Sequence, residues 1–391
     1  MKKLPRGVWM LGLVSLFMDM SSEMAHAILP LYLVGTLGAS VALVGFIDGL
    51  AEAVAQVTKL FSGVASDWVH NRKWLAVLGY GLSALTKPLF PLATTPIGIL
   101  VARMADRVGK GIRGSPRDAM VADFTPPELR GAAFGLRQGL DTVGAIIGPL
   151  IAVVLLWFAL ADLRHVLWVA CVPAVITVLI LIFGLHEPAR VVAAKPATST
   201  WRDVLRPVNP GSAFWIVLGL GVALSAARMT EGFLVLKAQD GGLSVPLIPL
   251  VMMLMSFVYV VAVYPTGVIS DKFGTKGLLF SGAIALLVAD ILLAQKAGLW
   301  VMLLGVAIWG LHMGLTQGLL GKLVADSAPA ELRGTCFGYF NVACGLATLA
   351  SGVIAGIIWD LSGATPTFLF GAAMAAVTAL GLLFYHPRSS A

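Results

Sequence analysis

Ionisable side chains interrupt the long apolar stretches of this chain at helical spacing. The chemistry they could support is proton transfer or recognition of a charged solute. Asp19, Glu23, His26 and Pro30 fall at i, i+4, i+7 and i+11, one face of a helix. Asp48, Glu52, Gln56 and Lys59 follow the same logic; Arg137 and Asp141 are four apart, Arg228 and Glu231 three apart. The densest stripe is Arg103, Asp106, Lys110, Arg113 and Arg117, with Arg107 beside it. A charge at a bilayer centre costs roughly 2.5–3.5 kcal/mol on insertion scales, so such residues must face a wet cavity or a partner. Desolvation favours a neutral acid and nearby cations a charged one. A balance between the two is what a proton carrier needs.

The stripe has two readings. In one, its cations draw an anionic or carboxylate-bearing solute into a cavity. In the other, Arg113, Arg117 and Asp118 form a gate with Asp67, Asp123 or Glu128. For the acids, the structural alternative is a set of ion pairs locking helices together. The second-half counterparts of the stripe (Val306, Trp309, Met313, Thr316, Leu320) are uncharged, so the stripe belongs to the first half alone. Glu23 and Glu231 occupy similar places in the first span of each half. Trp309, His312 and Gln317, with Tyr339, Phe340 and Asn341, read as packing residues. Gly109-Lys110-Gly111-Ile112-Arg113-Gly114 lacks the spacing of a phosphate-binding loop and any preceding strand, which excludes a nucleotide site.

These stripes need long apolar helices to carry them. Hydrophobic residues make up 58% of the 391 positions and charged residues 12%, too few for a water-covered surface. Mean hydropathy is +0.91. Apolar runs separated by short polar breaks predict membrane helices of about 20 residues each, and no alternating strand pattern suggests a barrel. The net charge of +7 is distributed for orientation rather than for nucleic acid. Lys and Arg collect at the termini and in alternate breaks, which predicts cytoplasmic termini. The stretch from Lys2 to Ala25-His26-Ala27 imitates a secretion signal, but its acids argue against cleavage. Cys171, Cys336 and Cys344 lie in apolar segments without metal spacing and read as packing residues.

The chain repeats itself. Residues 121–135 (VADFTPPELRGAAFG) and 324–338 (VADSAPAELRGTCFG) are identical at ten of fifteen positions, 203 residues apart. Gly63-Val-Ala-Ser-Asp67 answers Gly267-Val-Ile-Ser-Asp271. Twelve spans are expected, six per half, at about 8–34, 41–66, 75–95, 97–122, 131–158 and 165–185, then 213–237, 245–270, 277–296, 299–325, 334–359 and 366–385. The halves are 1–185 and 212–391, joined by a cytoplasmic linker at 186–211. Thr125-Pro126-Pro127-Glu128 reads as a capping box opening the fifth span. In the second copy Pro329 and Glu331 remain, with Ala328 at the cap.

Two parallel six-helix halves resemble the major facilitator superfamily of secondary transporters. Gly63 and Asp67 with Arg72 and Lys73, and Gly267, Asp271, Lys272, Gly274 and Lys276, resemble that superfamily's cytoplasmic loop signature. Trp68 and His70 depart from it in the first copy. Arg103 sits where the superfamily often has an intramembrane arginine. Gly144-x-x-x-Gly148-Pro149 resembles the signature of its proton-coupled exporters, although Ala152 and Val153 replace the paired glycines usual further on. The resemblance implies an all-α polytopic membrane protein of major facilitator fold that works by alternating access. The expected function is proton-coupled antiport, in the export direction, of a small organic solute, anionic or drug-like. The alternative is proton-coupled uptake of an anionic solute such as a metal chelate or organic acid. A membrane-embedded enzyme or a receptor on the same fold stands further off: the histidines are scattered and there is no sizeable soluble module. The expected cavity residues are Asp19, Glu23, His26, Asp48, Glu52, Arg103, Asp106, Lys110, Arg113, Arg137, Asp141, Arg228 and Glu231. The expected gate residues are Gly63, Asp67, Arg72, Arg117, Asp118, Glu128, Arg130, Gly148, Pro149, Gly267, Asp271, Glu331 and Arg333. No cofactor or metal is expected, the coupling ion being H+. The expected partners are a small-molecule substrate and the lipid bilayer, with no nucleic acid. The chain is expected to act as a monomer in the inner or plasma membrane.

Overall fold

The computed structural model describes residues 4–68, 71–126, 129–158, 162–186, 210–273, 275–329 and 332–384. Among them the chain is helical, with no strand. The first-half helices are α1 (Arg6–His26), α2 (Val41–Trp68), α3 (Arg72–Thr86), α4 (Pro96–Phe124), α5 (Arg130–Phe158), α6 (Leu163–Val169) and α7 (Cys171–Leu179). The second-half helices are α8 (Ser212–Arg228), α9 (Gly232–Asp240), α10 (Pro249–Phe273), α11 (Thr275–Ala294), α12 (Leu299–Ser327), α13 (Arg333–Ser362) and α14 (Ala364–Phe384).

Among the described residues ten segments are long and apolar enough to cross a membrane: Val41–Gly63, Arg72–Leu92, Arg130–Phe158, Leu163–Gly184, Ser212–Asp240, Val245–Ser270, Thr275–Ala294, Leu299–Ser327, Thr335–Ser362 and Ala364–Phe384. Helices α1 and α4 fall outside this set. In α4 the cause is visible, since eight charged residues from Arg103 to Asp123 lie within its 29 positions. Leu85, Phe158, Tyr264, Trp300, Leu361 and Phe384 are each more than three-quarters exposed. Water would penalise such a surface and lipid accepts it. The protein is a multi-pass membrane protein.

Several expected continuous spans are broken. Helix α1 stops at His26, and the chain continues through a turn at Leu29–Leu31 and a π-helical turn at Tyr32–Thr36. Pro30 has no N–H to continue the ladder. Helix α3 stops at Thr86, before Lys87-Pro88, and resumes at Leu89–Leu92. The expected seventh span breaks between α8 and α9, where Met229 takes φ 52°, the one non-glycine residue with positive φ among the described residues. Such a conformation costs about 1–3 kcal/mol and persists only where packing enforces it. The expected capping box differs too. The Thr125 hydroxyl donates to the Val121 carbonyl at 2.7 Å, so it closes α4 instead of opening α5. A threonine hydroxyl on a helix can reach back to the carbonyl four residues earlier, in competition with capping the next helix.

Contacts group Met1–Leu33 with Val54–Arg206 as one unit, and Val34–Ala53 with Pro207–Ala391 as a second. The expected linker, 186–211, lies almost wholly outside the described residues. In the first unit α1 packs on α5 and α7, and α3 on α4. Its core includes Val8, Leu11, Val14, Met18, Tyr80, Met120 and Leu181. In the second unit α8 packs on α13 and α14, and α11 on α12 and α14. Its core includes Phe214, Val217, Leu279, Leu319, Cys336 and Phe340. The pairings of α1 with α5 and of α3 with α4 thus recur as α8 with α13 and α11 with α12, the structural counterpart of the sequence repeat.

Candidate functional site

The site is built on the seam between α3 and α4. Gly79 and Gly109 let the two backbones meet: a methyl on Gly79 would stand 2.6 Å from the Arg113 amide, and one on Gly109 2.7 Å from the Gly79 carbonyl. That approach brings long side chains of one helix over the other. Arg113 donates from Nη1 to Ser83 Oγ at 2.9 Å and lies 4.8 Å from the Tyr80 ring centroid, a cation–π distance. Ser83 Oγ in turn donates to the Asp106 carbonyl at 3.2 Å. Where α3 breaks, Lys87 places Nζ 3.2 Å from Asp106 Oδ1 and donates to Ser22 Oγ of α1 at 3.1 Å. Lys87 and Asp106 are both almost completely buried, as are Arg103, Arg107 and Arg113.

Sequence reasoning missed Lys87, although its signal was present: a lone lysine in the middle of an apolar run is expensive unless paired. The stripe also differs from its helical-wheel expectation. Arg107, set beside the stripe, is buried, whereas Lys110 within it is exposed.

The α1 acids meet this cationic seam. Glu23 Oε2 lies 3.6 Å from His26 Nδ1. The charges bearing on Glu23 are His26, Lys110 and Arg107; those bearing on Asp19 are Asp141, Lys110, Arg113 and Glu23. Those bearing on Asp106 are Lys87, Arg107, Arg113 and Arg103. Four buried cations (Lys87, Arg103, Arg107, Arg113) and the exposed Lys110 therefore surround three acids (Asp19, Glu23, Asp106), an excess of two positive charges of which the buried groups supply one. In a low-dielectric interior that excess favours an anionic guest.

A second network lies one to two turns along α4. Arg117 pairs with Asp118 at 3.0 Å and Asp141 at 3.8 Å, and donates to Ser15 Oγ at 3.4 Å. Arg137 pairs with Asp141 at 3.4 Å and Asp118 at 4.0 Å. These two cations and two acids balance, and their contacts join α1, α4 and α5. The expected gate pairing of Arg113 or Arg117 with Asp123 is not formed. Asp123 sits six residues beyond Arg117, on another face, and pairs with Arg72 at 2.7 Å. Arg113 belongs to the Ser83–Tyr80 seam instead. Lys73 donates to the Ile182 and Leu185 carbonyls at 2.8 and 2.6 Å.

The remaining expected residues are dispersed. Asp48 and Glu52 lie on the part of α2 grouped with the second unit. Arg228 ends α8 and bears on the buried His312 and on Cys344, and Glu231 starts α9. Arg130 is exposed. Gly148 serves packing: a methyl there would stand 2.5 Å from the Met20 carbonyl, and the buried Pro149 follows it inside α5. Gly63 and Gly267 face no crowding. Glu128 and Glu331, and the side chains of Asp67, Asp271 and Arg333, lie outside the described residues. Among the described residues no three His, Cys, Asp or Glu side chains gather as metal ligands.

Comparison with known proteins places this architecture. The sequence profile described as Major Facilitator Superfamily matches residues 11–236 and 217–391. The chain is 30% identical to the Uncharacterized MFS-type transporter MJ1317 of Methanocaldococcus jannaschii, over 98% of this chain and 96% of that one. It is 31% identical to the Multidrug resistance protein MdtH of Photorhabdus laumondii, over 49% of this chain and 46% of the relative. A mutant form of the nucleoside transporter NupG superposes with a TM-score of 0.80 at 15% identity, covering 96% of this chain and 98% of that one.

Proposed function

The chain belongs to the Major Facilitator Superfamily and is a transporter of small molecules, and we propose that it is a proton-coupled antiporter exporting a small organic anion. The observation that carries the reading is the excess of cations over acids on α1, α3 and α4, four of the five cations being buried. Arg103, Arg107 and Arg113 attract the anion, and Asp19 or Glu23 carries the proton. An ionised acid neutralises the cations that the solute needs and a protonated one leaves them to it, a linkage that by itself favours proton and anion binding together, as the uptake alternative requires. Twelve spans, six per half, with cytoplasmic termini in the inner or plasma membrane, complete this reading, and the chain acts as a monomer.

Export is favoured by the similarity to a relative named for multidrug resistance. Uptake of an anionic solute uses the same cations in the opposite direction, and everted vesicles separate the two. With a proton gradient imposed on them, impermeant naphthalenesulfonates should accumulate against their own gradient. Asp19→Asn with Glu23→Gln should abolish that accumulation while leaving exchange at equal pH largely intact. Unchanged gradient-driven accumulation in the double variant would rule out these acids as carriers. Solute leaving the vesicle lumen under the same gradient would reverse the direction.

A further inference from the structure

The second unit holds an acid that nothing above uses. Asp290 of α11 is fully buried, and neither carboxylate oxygen has a hydrogen-bond partner. Among the described residues no charged group bears on it. The helices packed against α11 are α8, α10, α12 and α14. Helix α14 has no ionisable residue. Helix α12 contributes His312, whose Nδ1 lies 2.8 Å from the Gly282 carbonyl, about two turns from Asp290. Its other charges, Lys322 and Asp326, lie further toward its C-terminal end. Helix α10 carries Tyr259 and Tyr264, then Asp271 and Lys272 at its end. Helix α8 contributes Arg228, which bears on His312 and Cys344 rather than on Asp290.

The carboxyl is wedged at the break of the expected seventh span. A methyl on Gly371 would stand 2.6 Å from Asp290 Oδ2 and 2.7 Å from Met229 Cε, so the acid, the glycine and the strained residue share one contact point. Next to Met229, the buried Thr230 hydroxyl also has no hydrogen-bond partner. The break interrupts the helical ladder from Arg228 to Gly232, which leaves polar backbone groups that a rearranged break can offer to an ionised carboxylate.

We propose that Asp290 is a proton-binding site of the second unit, neutral as packed here and ionised only when the break at Met229 rearranges. A lone buried carboxylate is strongly disfavoured unless paired, and the neutral acid is not. A metal cation is excluded as the guest, because it needs several oxygen ligands at once and the space beside Oδ2 is filled by Gly371 and Met229. The chemistry is one reversible step: hydronium gives its proton to a carboxylate oxygen, forming one O–H bond and releasing water. The inference deepens the proton-coupled reading and rests on it for the use made of the proton. Protonation is then tied to a two-state backbone element, a form in which a bound proton can bias conformation.

Infrared difference spectroscopy on the full-length protein in lipid nanodiscs tests this. Raising the pH should convert a buried protonated-carboxyl C=O band into carboxylate bands. Asp290→Asn, which keeps the shape, should lose that band completely. Gly371→Ala leaves Asp290 in place and presses on its Oδ2, so it should move the band or its titration midpoint even if the first variant folds poorly. Three results would overturn the proposal: no such band at any pH at which the protein stays folded, its persistence in Asp290→Asn, or its removal by sodium at constant pH. A titrating Asp290 band in protein whose solute flux ignores an imposed proton gradient would uphold the site and sink only the coupling.

Discussion

At the scale of single residues, the Lys87–Asp106 pair shows how the site is held. Both side chains are buried at 3.2 Å, so removing one partner leaves the other charge uncompensated. Lys87→Met should destabilise the protein by about 3–5 kcal/mol, and Lys87→Met with Asp106→Leu should recover much of that loss, as read from denaturation in detergent. Equal destabilisation in the single and double variants would show that the pair is not a coupled unit. Part of this arrangement was legible in the sequence, because helical spacing alone put Asp19 with Glu23 on one stripe and Arg103, Asp106 and Arg113 on another. The partners were not legible. Nothing in the spacing within α4 says that Asp123 reaches Arg72 in α3, or that Arg113 leaves the gate for Ser83. Such pairings depend on how close two helices come, and here two glycines set that distance.

At the scale of helices, caps and close approaches fix geometry that periodicity leaves open. Asp360 of α13 accepts from the Val41 and Ala42 amides at 2.8 and 2.9 Å, one carboxylate oxygen for each. The start of α2 is therefore capped from a residue more than three hundred positions away. Glycines let the adjoining backbones approach closely: a methyl on Gly49 would stand 2.6 Å from Leu349 Cα, and one on Gly352 2.7 Å from the Gly45 carbonyl. Asp360→Ala should cost about 0.5–2 kcal/mol, the usual loss for a helix cap, while Asp360→Asn, still able to accept, should cost less. Hydrogen exchange of the Val41 and Ala42 amides reads this directly, and protection unchanged in the alanine variant would remove the cap from the account. Sequence reasoning found the long helices because apolar runs of this length have few alternatives. It missed the breaks at Lys87 and Met229. Met229 carries no proline or glycine at the break itself, so its positive φ is a product of packing around it.

At the scale of the whole molecule, the internal repeat and the superfamily match agree on two related halves, and the same helix pairings recur in each. The first carries most of the charge and the second is mainly apolar. Reporter fusions within Arg190–Arg206 should read cytoplasmic and fusions near Asp240 external; a cytoplasmic reading near Asp240 would break the six-plus-six arrangement. The central claim is that the buried cations of α4 select an anion. Thermal-shift measurements on the purified protein test it most directly, using matched naphthalenesulfonates, their neutral sulfonamides and amine analogues of the same size. The sulfonates should stabilise the protein most, and Arg103→Gln should remove their advantage while leaving any shift from the neutral series unchanged. Stabilisation by the neutral or cationic series alone, or a sulfonate shift undiminished in Arg103→Gln, would contradict it.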